Sequence, residues 1–386
     1  MEYLLRIIRR IIITLCCVCI ADNSLGQYSY SVNYVCVKEN NVPTYYFIQH
    51  ASFELENVTL RQYIYTISNG RLPVIYIGEK AFAECRKLKC VNIPSPLTRI
   101  DRLAFYNCIL LDSVCFSTPD WSYRDYHLET IGDNVFQGCW NLKYINFPVD
   151  VKTIGRSAFL DCWSLPAIDI PYNVKTIGDY AFKNCKSLKS VVLSTSMSNL
   201  GECVFQNCTA LKSVGFYNKQ PLRIKPLAFD SCISLEEVTI AYDKVYAIDS
   251  GAFKNCKSLK NITIPAGIKQ GIGASVFEGC PTLDTVTALI EQPYAFGKDA
   301  FKGISPTCVL MVPYGKRAAY IAAGWTEEVF KGGVKEIIPA GISQVKANTN
   351  AKEVGCYDLQ GRRIQAPVKG LNIIRYNDGT TRKVMK

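Results

Sequence analysis

Apolar residues along most of this chain recur in a single frame. Ile77-Gly78 is followed by Ala81-Phe82, Cys85, Leu88, Val91 and Ile93, with polar or variable residues between them. The frame returns as Ile100 with Ala104-Phe105, Cys108, Leu111, Val114 and Phe116, and as Ile131-Gly132 with Val135-Phe136, Cys139, Leu142, Ile145 and Phe147. Further copies start at Ile154, Ile177, Leu200, Ile224, Ile248 and Ile272. A degenerate tenth starts at Phe296-Gly297, with Ile304 where the others have Cys. Steps between copies are 23 or 24 residues except one of 31, from Ile100 to Ile131. Within a copy, Leu-x-x-Val-x-Ile alternates apolar and variable residues, which predicts a short strand with one buried face. The Ala-Phe pair predicts a helical or 3₁₀ turn, with Ala allowing close approach and Phe filling the interior. Pro94, Pro148, Pro171 and Pro265 stand just past the strands, where a missing N–H harms the ladder least. No copy can bury its own Phe, Leu and Ile, so only a stack of copies has a core. The expected fold class is an α/β repeat, a solenoid of short parallel strands about 4.8 Å apart joined by helical turns.

The frame Ile-Gly-x-x-Ala-Phe-x-x-Cys-x-x-Leu-x-x-Val-x-Ile-Pro resembles the BspA-like class of bacterial leucine-rich repeats over residues 72–316. That resemblance implies a secreted or cell-surface protein that binds matrix proteins, other cells or ligands without catalysis. The run from Cys308 to Pro313, then Tyr320 and Trp325, looks like the family's terminal repeat and capping turn, so residues 317–340 are expected to close the solenoid. A β-rich cap over residues 27–71 is expected to cover the first copy, whose core would otherwise be open.

Residues 1–26 read as a secretory signal. Arg6, Arg9 and Arg10 form the positive end, and residues 11–21 form an apolar run of eleven. A bilayer span needs about 20 apolar residues, so this run does not cross. Ser24-Leu25-Gly26 allows a cut before Gln27, and a cut after Ala21 is the rival. Cys16, Cys17 and Cys19 lack the small residue that lipidation needs ahead of the modified Cys, and read as apolar filler. The mature chain then has no membrane span. Of the net charge of +11, this segment carries +1 and residues 341–386 carry +6, leaving +4 on the body. Such a body is an ordinary solvated surface and excludes a nucleic-acid stripe.

Nine of the 18 Cys hold one position of the frame: Cys85, Cys108, Cys139, Cys162, Cys185, Cys208, Cys232, Cys256 and Cys280. Neighbouring rungs about 5 Å apart are within disulfide reach. However, nine is odd, and the mature chain has no Cys-x₂-Cys or Cys-x₃-Cys pair suited to zinc. The expected role is structural, as small buried residues with free thiols. Cys36, Cys90, Cys115, Cys203, Cys308 and Cys356 are scattered, and a Cys90–Cys115 bridge is possible but out of register by two residues. Only His50 and His127 occur, and no phosphate loop, nucleophile elbow or zinc-protease motif is present. Acids such as Asp169, Glu236 and Glu237 fall on separate strands, with no signal beyond accident for a carboxylate pair. No enzyme activity, cofactor or metal is expected.

After Pro339 the frame ends. Tyr357-Asp358-Leu359 with Gly361-Arg362-Arg363, then Lys369-Gly370 with Ile373-Ile374 and a basic end, resembles the C-terminal sorting domain of type IX secretion in Bacteroidetes. A hairpin is predicted there around Asn377-Asp378-Gly379, in a β tail spanning residues 341–386. A plain β end-cap is the other reading of the tail.

The long step adds eight residues, at about 117–128, and insertions in a solenoid map to surface loops that often bind. This one holds Trp121, Tyr123, Arg124, Tyr126 and His127. Trp140 and Trp163 directly follow Cys139 and Cys162, and Arg86, Lys186, Thr209 and Lys257 fill the same slot elsewhere, which predicts a solvent-facing pair beside the loop. Trp121, Tyr123, Arg124, Tyr126, Trp140 and Trp163 are therefore the candidate ligand contacts. The alternative is that the loop rings fold back over a long turn. The expected partner of this exported monomer is a surface protein of a host or neighbouring cell, or a glycan. An architectural spacer without ligand and a glycan-binding accessory protein are the competing functions.

Overall fold

The computed structural model describes residues 16–21, 31–39, 42–60, 63–66, 70–93, 97–116, 128–338, 352–358, 361–368, 371–376 and 381–385. From Ile77 onward the chain winds through ten coils, counted from the ten starting residues above, and each coil stacks on the last in register. On one face Ile77, Ile100, Ile131, Ile154, Ile177 and Leu200 lie level in a parallel ladder. On a second face Val91, Val114 and Ile145 lie level, as do Val191, Val214 and Val238, and then Ile262, Val286, Leu310 and Val334. Register holds straight across the long step: Thr130 pairs with Arg99, and Tyr144 pairs with Ser113. The added residues therefore leave and rejoin the stack without shifting it. Most of them, with Trp121, Tyr123, Arg124, Tyr126 and His127, lie outside the described residues, as do Pro94, most of the signal segment and the turn at Asn377-Asp378-Gly379.

The third face differs from the sequence expectation. Its turns are neither helical nor 3₁₀ segments, and among the described residues the one helix is Arg317–Ala322, beyond the last coil. The molecule is a β-solenoid rather than an α/β repeat. The reason lies in where the N–H groups go. In the first coil Lys80, Phe82 and Glu84 donate to Arg102, Ala104 and Tyr106 of the next coil, while Ala81, Ala83 and Cys85 donate three residues back within their own turn. A helix needs every N–H for its own axis, whereas here every second one is committed to the neighbour. Holding them on one side requires left-handed backbone at two places per turn, such as Lys80 and Glu84 (φ 58° and 60°) or Tyr180 and Asn184 (φ 59° and 62°). Asn, Asp and Gly frequently fill the second of these, because they tolerate positive φ best.

The interior is a column of rings. Phe82, Phe105, Phe136, Phe159, Phe182, Phe205, Phe229, Phe253, Phe277 and Phe301 stack with centroids 4.8–5.7 Å apart, all buried. Beside it runs the column of repeat cysteines, each fully buried. From Cys108 to Cys280 each thiol donates to the carbonyl of the Phe one coil back, at 3.0–3.4 Å, and Cys85 donates to Ser52 at 3.6 Å. The position thus takes a side chain small enough for the core with one weak donor. Burial pushes Cys85 and Cys280 up to about 12 and raises the other seven. Coil spacing is set by glycines: a Cβ on Gly201 would sit 2.3 Å from the backbone of Gly178.

Both ends are closed by irregular versions of the coil. Ahead of the first, Val42–Ala51 pairs in parallel with Gly70–Ile77, placing Ile48 level with Ile77, and Asn57–Thr59 pairs with Cys90–Ile93. Leu55 and Val58 fill this shortened turn. Ser31–Glu39 lies antiparallel between Val42–Ala51 and Cys16–Ala21, the last lying within the sequence read as an export signal. At the far end Tyr320, Trp325 and Phe330 are fully buried over the last coil. The Tyr320 hydroxyl donates to Ala288 and Ile290, 2.9 Å from each carbonyl. Glu353–Tyr357, Arg363–Ile364, Leu371–Tyr376 and Thr381–Met385 form a separate antiparallel sheet around Cys356, Ile374 and Tyr376.

Phe182→Ala is expected to cost about 3–5 kcal/mol in denaturant unfolding, since it leaves a void between two rings, whereas Phe53→Ala at a half-exposed position changes little. Gly201→Ala forces two backbones apart and should cost about 1–3 kcal/mol. Alkylation followed by peptide mass mapping should label Cys90 and Cys115, which are partly exposed, and spare the nine column thiols until denaturant is added. Raising the pH from 7 to 9 should not speed labelling of the column. Its raised pKa keeps the thiolate scarce, and burial blocks access.

Candidate ligand-binding face

Trp140 and Trp163 stand where the turn face meets the second strand face. Their backbones are fixed by the stack: Ser164 N–H donates to the Trp140 carbonyl at 3.1 Å, and Ser187 N–H to the Trp163 carbonyl at 3.0 Å. The two indoles lie parallel, with an interplanar angle of 3° and centroids 5.0 Å apart. They are 42% and 38% exposed. Trp163 is sandwiched, because the Lys186 ammonium lies 4.7 Å from its centroid on the next coil. Its Nε1 donates to Asp161 at 3.4 Å, and Asp161 also accepts from the Asn184 amide at 2.7 Å. The pair therefore offers ring edges to solvent, and Trp163 has no free face. Aromatic stacking contributes about 0.5–1.5 kcal/mol to holding it in place, and the exposed cation–π contact about 0.5–1 kcal/mol.

The insertion root lies elsewhere on these coils. It leaves after Ser113–Phe116, whereas Trp140 precedes Tyr144–Asn146, so the strand face lies between them. Asn146 holds the root. Its side-chain oxygen accepts from Phe116 N–H at 2.8 Å, and its amide donates to the Phe116 carbonyl at 2.9 Å. Sequence reading passed over Asn146 because an Asn on a strand carries no pattern of its own. It likewise passed over Leu110, Tyr144, Val149 and Tyr172, which are 45%, 54%, 54% and 64% exposed. With the two tryptophans these make six of the fifteen large exposed apolar side chains among the described residues, and all six fall on the second to fourth coils of ten. Scattered single residues would need no explanation, but a cluster does.

The same place interrupts the sheet. Residues 167–170 form no strand, so the ladder on this face ends at Tyr144–Asn146 and resumes at Ser190–Leu193. Pro166 occupies the slot from which Lys143 and Lys212 donate to Asp112 and Lys189, and it has no N–H to give. An unpaired stretch thus borders the tryptophans.

The remaining candidates bring no chemistry together. Cys90 pairs with Ser113, and Cys115 pairs with Asn92, so the two thiols are diagonal neighbours rather than facing ones. His50 is exposed and packs edge-on against Phe53 at 5.6 Å. Asp169, Glu236 and Glu237 do not converge: Asp169 lies on a different coil from the two glutamates. Among the described residues no group of His, Cys, Asp and Glu is placed to hold a metal, and no helix is long and apolar enough to cross a membrane.

The family described as BspA type Leucine rich repeat region (6 copies) matches residues 40–123, 115–220 and 222–314. Its match begins in the shortened coil around Ile48. Among solved structures, the chain is similar to a leucine-rich repeat protein of T. pallidum at 26% identity, covering 55% of this chain and 82% of that one with a TM-score of 0.40. A leucine-rich repeat protein from Bacteroides ovatus matches at 22% identity, covering 82% and 100%, with a TM-score of 0.35. A leucine rich cell surface protein from Faecalibacterium prausnitzii matches at 20% identity, covering 79% and 98%, with a TM-score of 0.41. No match is found among curated proteins. The family match extends over more than half of the chain and coincides with the coils, so the chain belongs to the BspA-type leucine-rich repeat family.

Proposed function

We propose that this is an exported, surface-associated, non-catalytic binding protein whose contact face spans the second to fourth coils. The observation that carries the reading is the concentration of six exposed apolar side chains on three consecutive coils, among them the stacked Trp140 and Trp163 beside the break at Pro166. Isolated apolar side chains cost a surface little, whereas a fixed, clustered set marks an interaction site. A spacer without ligand has no use for it. The partner fitted best is a protein. A sugar ring packs flat on an aromatic face, and both faces of Trp163 are taken, one by Trp140 and the other by Lys186. Two indole edges with Leu110 and Tyr144 nearby suit the mixed apolar and polar centre of a protein interface. We assign Trp121, Tyr123, Arg124 and Tyr126 to the same site, because the insertion that carries them follows Ser113–Phe116 at the border of this face. Residues 1–26 serve export, and the tail's sheet, with its resemblance to sorting domains, serves delivery to the surface. The nine column cysteines play a structural part.

On an array of surface and matrix proteins and glycans, the purified chain should capture a protein rather than a polysaccharide. Trp140→Ala combined with Trp163→Ala should abolish that capture and lower the thermal midpoint by no more than about 4 °C, the shift of roughly 1 kcal/mol in a domain this size. A much larger drop would identify the rings as local core and remove the site assignment. Deleting residues 347–386 should leave a folded solenoid in the periplasm; unchanged surface delivery would refute the sorting role.

A further inference from the structure

The turn ladder has an open end. In each of the first nine coils three N–H groups, two residues apart, donate to three carbonyls of the following coil. The last filled rung runs from Ser275, Phe277 and Gly279 to Lys298, Ala300 and Lys302, at 2.9, 2.7 and 2.9 Å. The tenth coil keeps the same turn. Ala300 and Lys302 donate three residues back, and Asp299 and Gly303 keep the left-handed backbone, with φ 58° and 73°. Yet the N–H groups of Asp299, Phe301 and Gly303 meet no acceptor among the described residues.

The cause is the cap. Twenty-three residues on from these donors, the matching carbonyls would belong to Ala322, Gly324 and Thr326, but the chain folds Arg317–Ala322 as a helix. Trp325 and Phe330 cover the Phe301 ring, at 5.6 and 4.9 Å, and leave the backbone edge uncovered. Between that edge and the cap lies a cleft of about 470 Å³, with half-buried Ile304 and Val329 among its walls. Asp299, Lys302, Glu328 and Lys331 line it with two charges of each sign, so it selects no charged ligand.

We propose that this cleft binds a peptide segment of a partner protein that takes up the repeat's own turn, as an eleventh rung. Carbonyls at alternate residues of the peptide accept from Asp299, Phe301 and Gly303, and one bulky apolar side chain rests against Ile304 and Val329. The argument is continuity. Nine identical rungs, each made by the same turn, define what this edge pairs with, and a row of free N–H groups is a template for added backbone as the edge of a sheet is. The ligand is recognised through its backbone and one side chain. This site is separate from the tryptophan face, and either assignment stands without the other.

Residue-resolved amide hydrogen exchange on the full chain tests it in two steps. In the free chain Asp299, Phe301 and Gly303 should exchange at least about a hundredfold faster than Ser275, Phe277 and Gly279, whose ladder bonds are made. The probe is a synthetic peptide of residues 295–306 of this chain, whose carbonyls already match such a row on the ninth coil. At millimolar concentration it should slow those three amides by at least about tenfold, while a scrambled peptide of equal composition does not. Slow exchange in the free chain would show the row already paired and overturn the proposal. No protection by the peptide, or equal protection by the scrambled one, would overturn it too.

Discussion

Everything in this molecule depends on the contact between one coil and the next. No coil has a core of its own, and each satisfies half of its turn N–H groups only by donating them to a neighbour. The phenylalanine column, the cysteine column and the backbone ladder are three expressions of one repeat distance near 5 Å. Side chains at the contact are therefore chosen for thickness as well as hydrophobicity. A flat ring, a small thiol and a glycine fill their slots without opening the spacing, and a bulkier group at Gly201 would wedge two coils apart.

That dependence explains why irregularities are informative. A regular coil has nothing free to bind with, since its apolar side chains point inward and its ladder bonds go to its neighbours. Function has room only where the repeat departs from its rule. The eight added residues leave the stack without altering its register, so they cost the solenoid little. Pro166 removes one donor and ends a strand ladder beside two exposed indoles. The cap replaces a turn by a helix and leaves three donors behind it.

Buried thiols fit the same logic. A serine there would be a stronger donor but more costly to bury, and an alanine would leave the second acceptor site of each Phe carbonyl empty. The raised pKa of the column follows from burial, which keeps these groups neutral and unreactive through the physiological range.

The repeat length, the buried positions and the stacking were legible in the residues, because a spacing of 23 or 24 recurring from Ile77 to Phe296 admits only a stacked arrangement. The outward slot of Trp140 and Trp163 was legible too, since Lys and Thr fill it in other copies. The turn conformation was not. Ala-Phe-x-x-Cys reads equally well as helix or as left-handed turn, and only the demand of the next coil for every second N–H decides between them. The interrupted strand at Pro166, the clamp of Asn146 on Phe116 and the separation of the insertion root from the tryptophans rest on pairings between residues 23–31 apart. Those pairings exist only after stacking, so tertiary structure alone decided which exposed side chains share a face.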